Sequence, residues 1–150
     1  MGAPDRLSIV DELDPAGTYS ALASTASSAM VDVRTRAEWA FTGLPDISAT
    51  GRALYPVEWA GFPTMSPNQT FVEELMQAAG GTLPQRLFFL CRSGARSLAA
   101  ARLVAAVADQ QGVSIHCTNV AEGFEGDLDG AGHRGSVNGW KVAGLPWRQN

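Results

Sequence analysis

A cysteine at the end of an apolar run is the residue best suited to chemistry in this sequence. Cys91 directly follows Phe88-Phe89-Leu90 and comes six residues before a stretch with helical spacing of apolar residues. Backbone N–H groups at the start of a helix have no partner within the helix, and together with the helix dipole they attract anions. We therefore expect Cys91 to be a nucleophile whose reactive thiolate form is stabilised by its surroundings.

The six residues after Cys91 have the types that an anion-binding loop needs. They are Arg92, Ser93, Gly94, Ala95, Arg96 and Ser97. A loop of this length can curl so that successive amides point inward, and a glycine permits the positive φ that such a curl needs. Arginines can hold an anionic substrate, and serine hydroxyls can donate to a sulfur anion. We interpret this segment as the substrate-binding loop, although a small buried cysteine without chemistry remains the alternative.

Helix and strand patterns alternate along the chain and must position this loop. The sequence predicts strands over 29–34, 53–57, 86–90 and 113–120. It predicts helices over 15–24, after the capping box Thr35-x-x-Glu38, over 71–79 with Ser66-Pro67 as the cap, and over 97–110. Strands separated by such helices need crossover connections, which predicts an α/β fold with a mostly parallel central sheet flanked by helices on both faces. We expect one domain over 1–150, with an irregular glycine-rich segment at 121–150.

Composition excludes several classes of protein. The chain has 150 residues, of which 45% are hydrophobic and 17% charged, as in an ordinary globular domain. A net charge of −4 argues against a nucleic-acid-binding surface or a polybasic membrane patch. The first residues have no targeting pattern, so we expect a cytoplasmic protein whose two cysteines are reduced. No metal site and no cofactor are predicted.

Two charged residues near the end of the first predicted strand could support the loop. Asp32 and Arg34 lie on the face opposite to Val33, near the sheet edge where α/β proteins bind ligands. We interpret Asp32 as buried and hydrogen-bonded to loop amides, which supports the site without reacting. Cys117 and its neighbour His116 face opposite sides of a strand, so Cys117 is expected to pack in the core. The sequence leaves open whether its aromatic residues wall a pocket or fill the core: Trp39, Phe41, Trp59, Phe62 and Trp140.

At these residues the sequence resembles the rhodanese-like sulfurtransferases. The segment 91–97 is similar to their active-site loop, in which the first cysteine carries a persulfide. The resemblance extends over most of the chain, through 30–34, Glu38-Trp39-Ala40-Phe41, Gly43, Pro45, 54–57, 123–126, Trp140 and Gly144-Leu145-Pro146. The chain departs from the family pattern between Trp59 and Ser66 and in a glycine-rich insert at 127–139.

This resemblance implies a sulfurtransferase without a cofactor. Sulfane sulfur would pass from thiosulfate or a persulfide to a thiol or cyanide through a Cys91 persulfide. The implied partners are a small anionic sulfur donor and a thiol acceptor or sulfur-relay protein. Two alternatives remain open: a phosphatase or arsenate reductase with a C-x5-R loop, and a non-catalytic module that binds a partner protein. Here the C-x5 spacing ends on Ser97 and the arginine comes one residue earlier, at Arg96, and this smaller ring favours sulfur over phosphate.

Overall fold

Five parallel strands form the central sheet of the computed structural model, which describes residues 7–149. Numbered in chain order, they are β1 (Ile9–Leu13), β2 (Ser28–Asp32), β4 (Ala53–Pro56), β7 (Arg86–Leu90) and β8 (His116–Val120). Their order across the sheet is β1-β8-β7-β2-β4, and every neighbouring pair is parallel. Two short antiparallel pairs lie outside this sheet: β3 (Leu44–Pro45) with β9 (Trp147–Arg148), and β5 (Ala60–Gly61) with β6 (Ser66–Pro67).

Helices cover both faces of the sheet, as the sequence predicts. The helices are α1 (Pro15–Ser24), α2 (Arg36–Thr42), α3 (Phe71–Ala78) and α4 (Ala95–Gln110), with a short 3-10 turn at Ser48–Thr50. Residues of α3 and α4, such as Leu75 and Val104, share one core with Phe89. Leu22 of α1 and Trp140 share the other core with Phe88. The protein is therefore an α/β protein, and the predicted fold class is confirmed.

The central strands β2 and β7 are apolar on both sides because each separates the two cores. Every residue of β2 is buried, and so are the last four residues of β7. Alternation along β7 sends Leu87 and Phe89 to one core and Phe88 and Leu90 to the other. Burial on both faces fixes the position of the strand end that leads into Cys91.

The structure corrects several predicted elements. The sequence pattern does not predict β1, because Ile9 and Val10 of this edge strand are exposed and the pattern lacks a buried face. Ser66-Pro67 does not cap α3, because these residues pair with β5 and the N-cap is Thr70. Three boundaries also differ by two or more residues: β2 ends at Asp32 rather than 34, α4 begins at Ala95 rather than 97, and β8 begins at His116 rather than 113.

Residues 1–6, where the sequence predicts no targeting signal, and residue 150 lie outside the described part of the chain. Within 7–149, no helix combines the length and the apolar character needed to cross a membrane. The segment from 121 is mostly turns, as expected, but it also contributes β9 and a buried Trp140. Its indole N–H donates to the Pro146 carbonyl at 2.7 Å, which closes the C-terminal turns onto the core.

Candidate active site

Cys91 lies directly after β7, and Gly94 directly precedes α4. The Cys91 Sγ accepts a hydrogen bond from the Gly94 N–H at 3.1 Å and lies 3.2 Å from the Ser97 hydroxyl oxygen. Gly94 has a φ of +116°, the positive value that the curled loop was expected to need. Only 1% of the surface of Cys91 is exposed, so the surrounding residues cover the sulfur almost completely.

The N-terminus of α4 points its unpaired amides toward this loop. The Leu98 N–H bonds the Gly94 carbonyl at 3.3 Å, and helix geometry leaves the N–H groups of Ala95, Arg96 and Ser97 without intrahelical partners. A helix of 16 residues also places the positive end of its dipole here. Of the amides in the loop, the Gly94 amide is the one in hydrogen-bonding contact with Sγ itself.

The two arginines of the loop differ in what they contact. Arg96 forms a bidentate ion pair with Glu38 of α2, with both N–O distances at 2.8 Å. Although burial opposes ionisation, this pair and the Thr35 amide lower the pKa of Glu38 to about 2. Arg92 is exposed, and its guanidinium forms no hydrogen bond or ion pair with residues 7–149. Arg92 is therefore the loop arginine available to an incoming anion, whereas Arg96 is already occupied.

The segment 123–126 holds the carbonyl groups of the loop. The Phe124 N–H donates to the Cys91 carbonyl at 2.8 Å, and the N–H groups of Glu125 and Gly126 donate to the Arg92 carbonyl at 3.1 Å. Gly123 makes this approach possible, because a Cβ there would lie 2.5 Å from the carbonyl carbon and oxygen of Arg92. With these carbonyls bound on one side, the loop amides remain available on the other.

Asp32 and Arg34 form a fully buried ion pair that supports this segment. The Arg34 Nη2 lies 2.7 Å from Asp32 Oδ2, and the same guanidinium also donates to the Thr42 hydroxyl and the Gly43 carbonyl at 2.8 Å. It stacks on the Phe124 ring at 4.2 Å from the centroid. The expected bonds from loop amides to Asp32 are replaced mainly by the Arg34 guanidinium, because its fork matches the carboxylate. The pair joins β2 and the end of α2 to the segment that holds the loop.

Two residues outside the predicted site, Asn119 and Glu12, complete the hydrogen bonds around the sulfur. Asn119 at the end of β8 accepts from the Ser97 hydroxyl at 2.6 Å, and its amide nitrogen donates to Glu12 Oε2 at 2.8 Å. Asn119 could have been identified from the sequence, because it is a polar residue near the end of a predicted strand. Glu12 had no such signal, since it belongs to the unpredicted strand β1.

An open cleft of about 950 Å³ lies beside the loop. Its charged lining comprises Arg92, Arg96, Arg134, Glu38 and Glu125, and its apolar lining includes the exposed side chains of Phe41, Phe62, Met65 and Leu128. Both departures from the family pattern contribute to it, the stretch 60–65 through Phe62 and the insert 127–139 through Leu128. Of the aromatic residues left open above, Phe41 and Phe62 therefore wall the cleft, whereas Trp59 and Trp140 pack in the cores.

Cys117 packs in the core as predicted. It is fully buried beneath α4, and burial, followed by the charges of Asp109 and Asp11, raises its pKa to about 12. Its neighbour His116 faces the other way and contacts Asp11 at 2.7 Å. Both cysteines are free, and residues 7–149 contain no cluster of three or more His, Cys, Asp or Glu arranged to hold a metal ion.

Fold and site together define an α/β protein with a candidate cysteine nucleophile at a strand-to-helix turn. The chain is 30% identical over 130 residues to the uncharacterized protein RC0915 of Rickettsia conorii, covering 87% of this chain and 90% of that protein. Identity to the uncharacterized RP600 homolog of Rickettsia rickettsii is 31% over the same length and coverage. The crystal structure of Rv0390 from M. tuberculosis matches with a TM-score of 0.79 and 41% identity, over 95% of this chain and 99% of that one. The chain belongs to the family of these proteins, and no family model matches it.

Proposed function

We propose that this protein is a sulfurtransferase of the rhodanese type, working in the cytoplasm. The observation that carries the proposal is the placement of the Cys91 sulfur. It lies at the carboxyl end of β7, accepts the Gly94 amide at 3.1 Å and adjoins the positive end of α4. These groups favour negative charge on sulfur without a metal or a cofactor. Such stabilisation is what a thiolate nucleophile and leaving group needs.

The reaction proceeds in two steps. The Cys91 thiolate attacks the sulfane sulfur of thiosulfate or a persulfide, a new S–S bond forms to Sγ, and the donor S–S bond breaks. Sulfite or a thiolate leaves with the electron pair of the broken bond. A nucleophilic acceptor, cyanide or a thiolate, then attacks the outer sulfur of the Cys91 persulfide. Its product is thiocyanate or a new persulfide, and the Cys91 thiolate is regenerated.

The residues of the loop and its surroundings have different roles in this reaction. The Gly94 N–H already bonds Sγ, and the other N–H groups from Arg92 to Ser97, Ser93 and Ala95 included, stabilise the outer sulfur of the persulfide anion. Arg92 binds the anionic donor, because its guanidinium is exposed and has no ion-pair partner within 7–149. Arg96 contributes positive charge at longer range while its fork holds Glu38. Asp32 and Arg34 keep the loop in place through Phe124.

The size and lining of the cleft support an acceptor larger than cyanide. A volume of about 950 Å³ far exceeds what a small inorganic anion needs, and much of the rim is apolar. A thiol carried on a larger molecule, such as a sulfur-relay protein, fits an open cleft of this kind.

The mass of the intact, reduced protein after incubation with thiosulfate tests the proposal. We expect a gain of one sulfur atom that is lost on addition of cyanide. Cys91→Ser should abolish the gain, whereas Cys117→Ala should retain it, because Cys117 is buried in the core. A wild-type mass that stays unchanged with thiosulfate and with a small persulfide donor would refute the proposal.

Assays on the same reduced protein distinguish a sulfurtransferase from the two alternative functions. A phosphatase would release phosphate from an aryl phosphate in a manner that depends on Cys91. A binding module would show neither reaction, and its Cys91 would resist iodoacetamide at neutral pH. The 1% exposure of Cys91 is the observation that favours this second alternative.

A further inference from the structure

The Ser97 hydroxyl has three possible acceptors for its single proton. Its oxygen lies 3.2 Å from Cys91 Sγ, 3.2 Å from the Gly94 carbonyl oxygen and 2.6 Å from Asn119 Oδ1. A hydroxyl donates one hydrogen and accepts through its lone pairs. The proton therefore lies on one of these bonds at a time, and the shortest contact is to Asn119.

The orientation of the Asn119 side chain is fixed by its other contacts. Its nitrogen lies 2.8 Å from Glu12 Oε2 and 3.2 Å from the Gly94 carbonyl oxygen. An ionised carboxylate and a carbonyl accept hydrogen bonds and donate none, so the NH₂ group must face them. Asn119 therefore turns its oxygen toward Ser97, where it acts as an acceptor.

We propose that Asn119, oriented by Glu12, is a positioning residue that holds the Ser97 proton away from Cys91 until the sulfur becomes an anion. In the thiol form the Cys91 S–H donates to Ser97 Oγ, and the Ser97 O–H donates to Asn119. When the thiol loses its proton to solvent, the Ser97 hydroxyl rotates and donates to Sγ. The rotation leaves Asn119 Oδ1 without this donor, so Asn119 competes with the thiolate for one proton.

The inference deepens the proposed function, on which it rests for its role in sulfur transfer. Cys91 Sγ is a thiolate before it attacks the donor and again when the acceptor has removed the outer sulfur. The Ser97 hydroxyl bonds Sγ in those two states and returns to Asn119 when Sγ is part of the neutral S–S bond. Asn119 thus limits how readily the thiolate forms, and Ser97 stabilises it once formed.

Several charged groups besides Glu12 surround this set of hydrogen bonds and must stay constant in a test. They are Arg92 of the loop, Arg96 of α4, Glu38 of α2, Asp32 of β2 and Arg34, which follows β2. None of them contacts the Ser97 or Asn119 side chains through the hydrogen bonds of residues 7–149. Substitutions at Ser97, Asn119 and Glu12 therefore leave these charges in place, except for that of Glu12 itself.

The pH dependence of iodoacetamide alkylation at Cys91 tests the inference in a double-mutant cycle. In Asn119→Leu the hydroxyl has no competing side-chain acceptor, so the midpoint of the profile should fall by about half to one pH unit. Ser97→Ala should raise the midpoint. Asn119→Leu added to Ser97→Ala should have little further effect, because the remaining contact of Asn119 with the loop, to the Gly94 carbonyl at 3.2 Å, does not touch the sulfur. Thr118→Val, next to Asn119 but on the other face of β8, is the matched control and should leave the profile unchanged.

Glu12→Gln provides a second route, since Glu12 is exposed and its substitution spares the core. We expect a downward shift of the midpoint in the wild-type background and a smaller one in Ser97→Ala, where only the lost charge acts. An unchanged or higher midpoint in Asn119→Leu would overturn the inference, as would an Asn119→Leu shift that keeps its full size in the Ser97→Ala background. Alkylation requires no sulfur donor, so a shift that contradicts the inference leaves the result of the mass experiment unaffected, and a protein that takes up no sulfur can still show the expected shifts.

Discussion

Replacing Gly123 with alanine should separate the loop around Cys91 from the segment that holds it. The added Cβ would lie 2.5 Å from the carbonyl carbon and oxygen of Arg92 and 2.6 Å from the carbonyl oxygen of Cys91. These neighbours are backbone atoms, which cannot rotate away as the end of a flexible side chain can. The chain must therefore move the two segments apart.

The cost has two parts that the structure distinguishes. Gly123 has a φ of +69°, and alanine in this left-handed region costs roughly 1–2 kcal/mol. Separation also breaks the bonds from the N–H groups of Phe124, Glu125 and Gly126 to the Cys91 and Arg92 carbonyls. At about 0.5–1.5 kcal/mol for each bond, their loss adds roughly 1.5–4.5 kcal/mol.

Gly112→Ala is the matched control, because Gly112 has a φ of +74° and no atom within 4 Å of the position of the new Cβ. Urea unfolding of both variants should show that Gly123→Ala loses about 1.5–4.5 kcal/mol more than Gly112→Ala. Sulfur uptake from thiosulfate, measured by mass, should fall in Gly123→Ala and stay at the wild-type level in Gly112→Ala. Equal stability and equal uptake in the two variants would refute the role assigned to segment 123–126.

Three further substitutions or measurements examine the surroundings of the site. Glu38→Gln removes the partner of Arg96 and should cost on the order of 3 kcal/mol at neutral pH, from a Glu38 pKa lowered from 4.5 to about 2. Because the folded pKa is the lower one, this stability is present above pH 4.5 and is lost as the pH falls toward about 2, so the two unfolding curves should converge there. Asp32→Asn leaves the buried charge of Arg34 without its counter-ion and should cost roughly 3–5 kcal/mol in urea unfolding. Peptide mapping after iodoacetamide treatment should find Cys117 unlabelled in the native protein and labelled in urea, because burial raises its pKa to about 12.

Each of these measurements has an outcome that contradicts the structural argument. A difference between Glu38→Gln and wild type that stays constant from neutral pH to acid would show that the carboxylate is not stabilised by Arg96. A cost below about 1 kcal/mol for Asp32→Asn would place that pair among weak surface ion pairs. Native labelling of Cys117 at the rate of an exposed thiol would contradict its position in the core.

Local signals in the sequence were sufficient for most of the fold. The apolar run over 86–90, the helical spacing after it and the Thr35 capping box each report on neighbours within one or two turns of chain. They predict β7, α4 and α2 because a strand or helix buries residues at its own period. β1 has no such signal, since Ile9 and Val10 are exposed at the sheet edge and its identity depends on pairing with β8.

The candidate site could be predicted only where its parts are adjacent in the chain. Cys91, the positive φ of Gly94 and the proximity of Ser97 all follow from one short loop. The partner of Arg96 could not be predicted, because Glu38 is 58 positions away and its capping role already explains its presence. The fully buried pair of Asp32 and Arg34 was predicted in position but not in its partners.

The sequence by itself determined that a thiol meets a helix start, because the order of residues along one loop sets both. Tertiary structure alone decided which distant groups support the loop and the hydrogen bonds around that thiol. Glu12 reaches Asn119 across 107 positions only because β1 pairs with β8, and Gly123 meets Arg92 only because the chain returns past the loop. Hydrogen bonds act over a few ångströms, so they depend on which strands are neighbours, and no local pattern of residues specifies that order.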